Sequence, residues 1–112
     1  MATGEAALTQ LRRGVLEHCV LALLQSGERY GYDLVTELSD AGLLASEGTL
    51  YPLLSRLRRD ELVSTAWRES PAGPPRRYYA LTNRGQAALD SFRTAWTGFA
   101  GSVDQLLQKG TR

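Results

Sequence analysis

A mainly helical chain carrying one small β-hairpin is the fold class this sequence predicts, and three observations predict it. Apolar residues recur at helical spacing in four separate stretches. Between the third and the fourth, over residues 62–81, the period changes from 3.6 to 2 on either side of a Pro- and Gly-rich turn. The last stretch keeps a strict alternation of three- and four-residue steps, the pattern of a helix that packs along a seam. With 112 residues, 43% of them hydrophobic and 22% charged, the chain has the make-up of one folded domain. That length buries roughly two-thirds of the unfolded surface.

Residues 1–7 are small and polar and read as a frayed end, as do residues 110–112. The first helix, residues 8–25, carries Leu8, Leu11, Val15, Leu16, Cys19, Val20, Leu23 and Leu24, and Gly27 ends it. Its apolar stripe is wide enough to need cover on more than one side. A shorter helix starts at Tyr30-Gly31-Tyr32-Asp33, carries Leu34, Val35, Leu38 and Ala41, and stops at Gly42. After a short connection Ser46 opens a third. Two short helices joined by a tight, glycine-containing turn make a helix-turn-helix pattern.

The third helix, residues 46–60, is the segment around which the rest is organised. Ser46 is a good N-cap whose hydroxyl can take a free backbone N–H, and Glu47 complements the positive helix end. Leu50, Leu53, Leu54 and Leu57 form one apolar stripe; the opposite face shows Gly48, Tyr51, Pro52, Ser55 and Arg59, flanked by Arg56 and Arg58. One face is made for burial and the other suits a polyanion, which reads as a helix that enters a DNA groove. Pro52 admits two readings. Either Gly48, whose carbonyl the proline ring presses, absorbs a kink, or the helix begins nearer Thr49 and Pro52 lies in the tolerated first turn.

The alternating strands fall at residues 62–68 and 76–81, separated by turn chemistry over residues 70–75. A hairpin behind a helix-turn-helix, with Arg76 and Arg77 near its tip, is the layout of a winged helix. Tyr78 and Tyr79 fall on opposite faces, one for the core beneath the wing; Tyr30 and Tyr32 are assigned to packing. The last helix, residues 83–109, is capped by Thr82 or Asn83 and carries the seam Leu89, Phe92, Trp96, Phe99, Val103 and Leu106. Gly85, Gly98 and Gly101 each weaken a free helix by about 1 kcal/mol relative to alanine. A long, glycine-interrupted helix with an aromatic seam needs a partner, and a second copy of the chain is the simplest one. The expected division is a winged helix-turn-helix DNA-binding domain over residues 1–82, followed by a dimerisation helix.

Thirteen Lys and Arg against 12 Asp and Glu leave a net charge of +1, so nucleic-acid binding must come from local clustering. Arg56, Arg58, Arg59, Arg68, Arg76 and Arg77 provide it, against Asp60, Glu61 and Glu69. The lone Cys19 fits a reducing, cytoplasmic location and a small buried hydrophobe. Arg12 and Arg13 before an apolar run resemble a signal peptide, but Glu17 and His18 interrupt it. His18 and Cys19 are helix neighbours that point apart and make neither a metal site nor a catalytic dyad. No phosphate-cradling loop, serine elbow or carboxylate pair is present, so no enzyme activity, metal or cofactor is expected.

The segments GTLYPLLSRLRRDELV and GPPRRYYALTNRGQAAL, with YGYDL before them, resemble the PadR family of bacterial transcription regulators, over about residues 10–107. The single C-terminal helix is similar to that of the short subfamily. Ala80 and Gln86 depart from it, occupying positions often charged in relatives. The resemblance implies a winged helix-turn-helix homodimer on a pseudo-palindromic operator, usually a repressor. It also implies a hydrophobic or aromatic effector held at the dimer interface between first and last helices. Trp96 matches a residue that stacks on ligand in some relatives, with Gly14, Glu17 and His18 facing it; Trp96 as plain seam filler is the competing reading.

The expected DNA contacts are Ser46, Thr49, Tyr51, Pro52, Ser55, Arg56 and Arg59 on the helix and Arg76 and Arg77 on the wing. Arg59 lies furthest from the leucine stripe and ranks first; Thr49 lies at the stripe's edge. Pairing of the wing arginines with Glu69 is the alternative there. The rival function is a winged-helix protein–protein module without DNA binding, to which the near-neutral charge lends some weight.

Overall fold

The computed structural model describes residues 3–109; residues 1, 2 and 110–112, which belong to the frayed ends expected above, lie outside the described residues. The element order is α1 (Thr3–Leu24), β1 (Arg29–Tyr30), α2 (Gly31–Asp40), α3 (Glu47–Arg59), β2 (Val63–Ser70), β3 (Gly73–Leu81) and α4 (Asn83–Lys109). Helix α1 begins before Leu8, so residues 3–7 are helical and not frayed. Ala6 and Ala7 are good helix formers, and Thr9 Oγ1 donates back to the Glu5 carbonyl at 3.0 Å.

One core holds these elements. Leu16, Val20, Leu21 and Leu24 of α1, Leu34, Val35 and Leu38 of α2, and the α3 leucines 50, 53, 54 and 57 are all buried together. The α3 stripe therefore behaves as its spacing requires. Gly42, at φ +77, closes α2 in a left-handed conformation that costs glycine little, and Leu43 N–H returns to the Leu38 carbonyl at 2.9 Å. The end of α3 has the same geometry, with Leu62 N–H on the Leu57 carbonyl at 2.9 Å, but here the left-handed residue is Glu61 at φ 63.

Two expectations about α3 are settled. The helix starts at Glu47, so Pro52 lies inside it, with Gly48 four residues before. Ser46 stands at the N-cap position with extended backbone, yet its hydroxyl makes no capping bond; it sits 3.5 Å from the Thr49 hydroxyl instead.

The sheet differs from a simple hairpin. Its order is β1-β3-β2, all antiparallel, with Arg29 and Tyr30 paired to Tyr79 and Tyr78. Tyr30 thus precedes α2 as a strand residue. The hairpin strands are longer than the alternation suggests, because Ser70 pairs with Gly73 and leaves only Pro71 and Ala72 as the loop. Pro74 and Pro75 lie within β3, where β1 no longer pairs with it and no ladder N–H is demanded on that edge. An irregularity between Arg68 and Ser70 absorbs the difference.

Helix α4 is anchored at its start and bare beyond. Thr82 is the cap: its hydroxyl accepts Gly85 N–H at 2.9 Å and donates toward the Glu61 carbonyl at 2.7 Å. Leu89, expected on the outward seam, is 2% exposed in the chain's own core, and Gly85 is buried against Leu62 and Leu81. Past Phe92 almost every residue is exposed. The radius of gyration is 16.3 Å, where a compact chain of this length has about 13 Å. The distal part of α4 projects.

Candidate nucleic-acid interface

The outward side of α3 is set by its burial. With the four leucines inside, Gly48, Pro52, Ser55 and Arg59 fall diametrically opposite, while Thr49 and Arg56 flank on one side and Tyr51 and Arg58 on the other. Arg59 is exposed and enters no ion pair among the described residues. Arg56 points along α3's flank to α1, where its Nη2 donates to Glu17 Oε1 at 2.6 Å. Both groups remain partly in water, so the pair contributes little stability. It does orient Arg56 toward α1. Thr49 turns the same way and, with Arg13, Leu16, Glu17, Pro52, Leu53, Arg56 and Arg59, lines a groove of about 440 Å³ between the two helices. Arg13 stands in that groove with Arg59, a neighbour that sequence distance conceals.

Tyr51 lies on the other flank, 41% exposed, its ring against Gly31 beside that of Tyr79. Burial, and after it the Glu47 carboxylate, pushes its phenol up, so the hydroxyl stays protonated at neutral pH and can donate.

Strand alternation divides the wing cations between two faces. Arg77 shares the face of Tyr79, which buries toward α2 and α3, and its guanidinium lies 4.8 Å from the centre of the Trp67 ring. Arg76 is on the reverse face with Tyr78, its guanidinium 4.7 Å from the Tyr30 ring. Neither pairs with Glu69; the wing cation that meets a carboxylate is Arg68, held by both oxygens of Glu28. The Arg68 hydrogen bond draws the Glu28 carboxyl below its ordinary range. Of the tyrosines assigned to packing, Tyr79 is 6% exposed, but Tyr32 is 54% exposed and Tyr30 is half-buried beneath Arg76. Tyr30 was legible only as a helix start, because a two-residue strand has no period to detect.

The remaining predicted residues gather on the other side of α1. His18 stacks on Phe92 with ring centres 4.2 Å apart and planes at 6°; Phe92 stacks on Trp96 at 5.9 Å, and the Phe99 ring meets Trp96 at 6.3 Å, tilted by 40°. The Nδ1 of His18 is buried with no hydrogen-bond partner. Glu17 turns away toward α3, and Gly14 is open, with nothing within 4 Å of where a Cβ would stand. Trp96, Phe99, Val103 and Leu106 are all exposed. Cys19 is half-buried against the core and burial raises its thiol pKa, which suits a packing residue better than a reactive one. Among the described residues no cluster of His, Cys, Asp and Glu could hold a metal, and no helix is long and apolar enough to cross a membrane.

The fold recurs in known proteins. The model of the PadR-like transcriptional regulator family matches residues 20–91. A transcriptional regulator of Mycobacterium tuberculosis is 35% identical over 96 residues, covering 86% of this chain and 89% of that protein. The crystal structure of a PadR-like regulator from Bacillus cereus superposes with a TM-score of 0.80 at 39% identity, covering 88% of this chain and 97% of that one. A PadR-family regulator from Eggerthella lenta gives 0.82 at 35% identity, covering 92% and 90%. Bacillus subtilis PadR, solved with operator DNA, gives 0.64 at 26% identity, covering 70% of this chain and 46% of that one. The winged body, the wing and the C-terminal helix are those of transcriptional regulators and not of enzymes, and the chain belongs to the PadR-like family.

Proposed function

We propose that the chain is a homodimeric repressor that binds a pseudo-palindromic operator and leaves it when a hydrophobic or aromatic effector binds between the subunits. The observation that carries the DNA-binding part is the unpaired, exposed Arg59 at the point of α3 opposite its leucine stripe. Pro52 and Ser55 stand beside it, and Arg77 lies on the wing face that it shares with Tyr79. A related regulator solved on operator DNA supports the same use of this body. In this reading Arg59 and Ser55 reach base edges or phosphate in the major groove, with Tyr51 and Pro52 in the same groove. Thr49 and Arg56 lie on the flank with Arg13 and touch phosphate at most, Ser46 stands at the helix mouth, and Arg77 serves the adjoining backbone. Arg76, on the wing's reverse face, contacts DNA only if the duplex wraps the tip.

Replacing Arg59 by alanine is expected to weaken operator binding by on the order of 1–3 kcal/mol per half-site. The complex is then lost from a gel shift at moderate salt, while helicity and assembly mass are unchanged. Unaltered retardation would remove Arg59 from the interface. The rival reading, a winged-helix protein–protein module, draws on the net charge of +1 and on Arg56 and Arg68 already having carboxylate partners. A wild-type protein that retards no duplex from its own upstream region would favour that module.

The effector part rests on the exposed aromatic ladder. Trp96 is 45% exposed within a series of ring contacts that starts on α1 at His18 and runs on to Phe99. Glu17 and His18, consecutive on α1, reach Arg56 and Phe92 respectively. A ligand that displaces α1 from α4 therefore acts on the flank of the recognition helix directly. Flat aromatic compounds are expected to quench Trp96 fluorescence in a Trp67→Phe background. No response across a broad panel would leave Trp96 as seam filler.

A further inference from the structure

We propose that Trp67 is a positioning residue of the wing: its indole holds the Arg77 guanidinium flat, so that the terminal nitrogens are presented to a DNA phosphate. The inference rests on the reading of the wing as a DNA contact. Trp67 and Arg77 are register partners across β2 and β3 and lie on the same face of the sheet. Trp67 is 64% exposed and belongs to no part of the core, so its large apolar surface is kept in water without a packing role.

The guanidinium carbon stands 4.8 Å from the ring centre, within the range of an attractive cation–π contact. Among the described residues Arg77 Nε is buried without a hydrogen-bond partner, while its terminal nitrogens are neither hydrogen-bonded nor among the buried, unpartnered atoms. The indole thus covers the guanidinium over its central carbon and leaves the terminal N–H groups open. A planar, weakly hydrated cation tolerates this arrangement; an ammonium does not. The other wing arginines lack this combination. Arg68 is taken by both oxygens of Glu28, and Arg76 lies over Tyr30 on the reverse face. Arg77 alone of the three is unpaired by carboxylate and held on the side that carries α3.

A positioning role differs from a purely structural one in what it does to the arginine's phosphate contact. The test is a double-mutant cycle in the full chain, with affinity for a random-sequence duplex measured over a series of salt concentrations. Arg77→Ala is expected to reduce the slope of log K against log salt by about 0.9 per wing, the signature of one lost phosphate contact. Trp67→Ala is expected to weaken binding about two- to fivefold per wing at low salt, to flatten the slope in the same direction, and to cause no further loss in the Arg77→Ala background. Trp67→Phe, which keeps a stacking face, restores most of the affinity; unchanged melting of each variant excludes a collapsed wing.

Losses that multiply in the double variant, or a Trp67→Ala protein with the wild-type slope, would overturn the proposal while leaving the wing's DNA contact standing. A wild-type protein that binds no duplex even at low salt overturns the DNA-binding reading and this inference with it.

Discussion

Phe99→Glu is expected to turn a species of twice 12.3 kDa into a monomer, unwind the distal part of α4 and abolish operator retention. Phe99 is 64% exposed, and Trp96, Val103 and Leu106 continue the same stripe in water. A strip of this kind on a projecting helix has no cover among the described residues. Gly98 and Gly101 lie in the same stretch and lower its helicity by about 1 kcal/mol each relative to alanine, so local propensity does not hold the helix straight. In the proposed homodimer packing supplies that stability, because a two-fold copy brings an identical stripe. Leu8 and Leu11 on α1 are exposed as well. A buried glutamate at the centre of such a seam is unpaired and costs several kcal/mol. DNA binding falls with it, because affinity for two half-sites requires two recognition helices about 34 Å apart. Sedimentation at micromolar concentration, far-ultraviolet circular dichroism and a gel shift read the three consequences. A wild-type protein that is already monomeric with α4 fully helical contradicts the prediction at its root.

The helices were legible because their cores are local. Leu50, Leu53, Leu54 and Leu57 share a face by spacing alone, and all four are buried. The wing was legible as a change of period. What one-dimensional reading missed is long-range. The two-residue β1 has no periodicity, yet its pairing to β3 places Tyr30 under Arg76. Arg56 and Arg59 line one groove, and only the arrival of α1 decides that Arg56 meets Glu17 there. Arg76 and Arg77 are adjacent in sequence, and strand alternation separates them onto opposite faces. Trp67, read only as part of an alternating strand, shows its contact with Arg77 once the register is known. Leu89 fits the heptad seam but belongs to the core, since a regular spacing continues through a helix whether its surroundings are protein or water.

The three glycines of α4 make the sharpest division of this kind, since helix propensity treats them alike. A Cβ at Gly85 would stand 2.7 Å from Leu81 Cδ1 and closer still to the Leu62 carbonyl oxygen. The leucine side chain can swing aside, but the carbonyl is fixed. It accepts Thr82 N–H at 3.2 Å and faces the Thr82 hydroxyl at 3.0 Å, and that hydroxyl in turn caps α4 through Gly85 N–H. Making room for one methyl group therefore breaks the joint between the end of α3, the wing and the last helix together. Gly85→Ala is expected to destabilise the fold by about 3 kcal/mol or more, the upper range for overpacking, and to lower the melting temperature by roughly 10–20 °C at fixed protein concentration. Gly101→Ala, with nothing within 4 Å, is expected to move the other way by about 1 kcal/mol, since it removes only the entropic cost of glycine in a helix. Denaturant titration of the two variants against wild type checks both signs. A Gly85→Ala protein as stable as wild type would show that α4 does not approach Leu62 so closely, and the anchoring of the whole projecting helix would have to lie elsewhere.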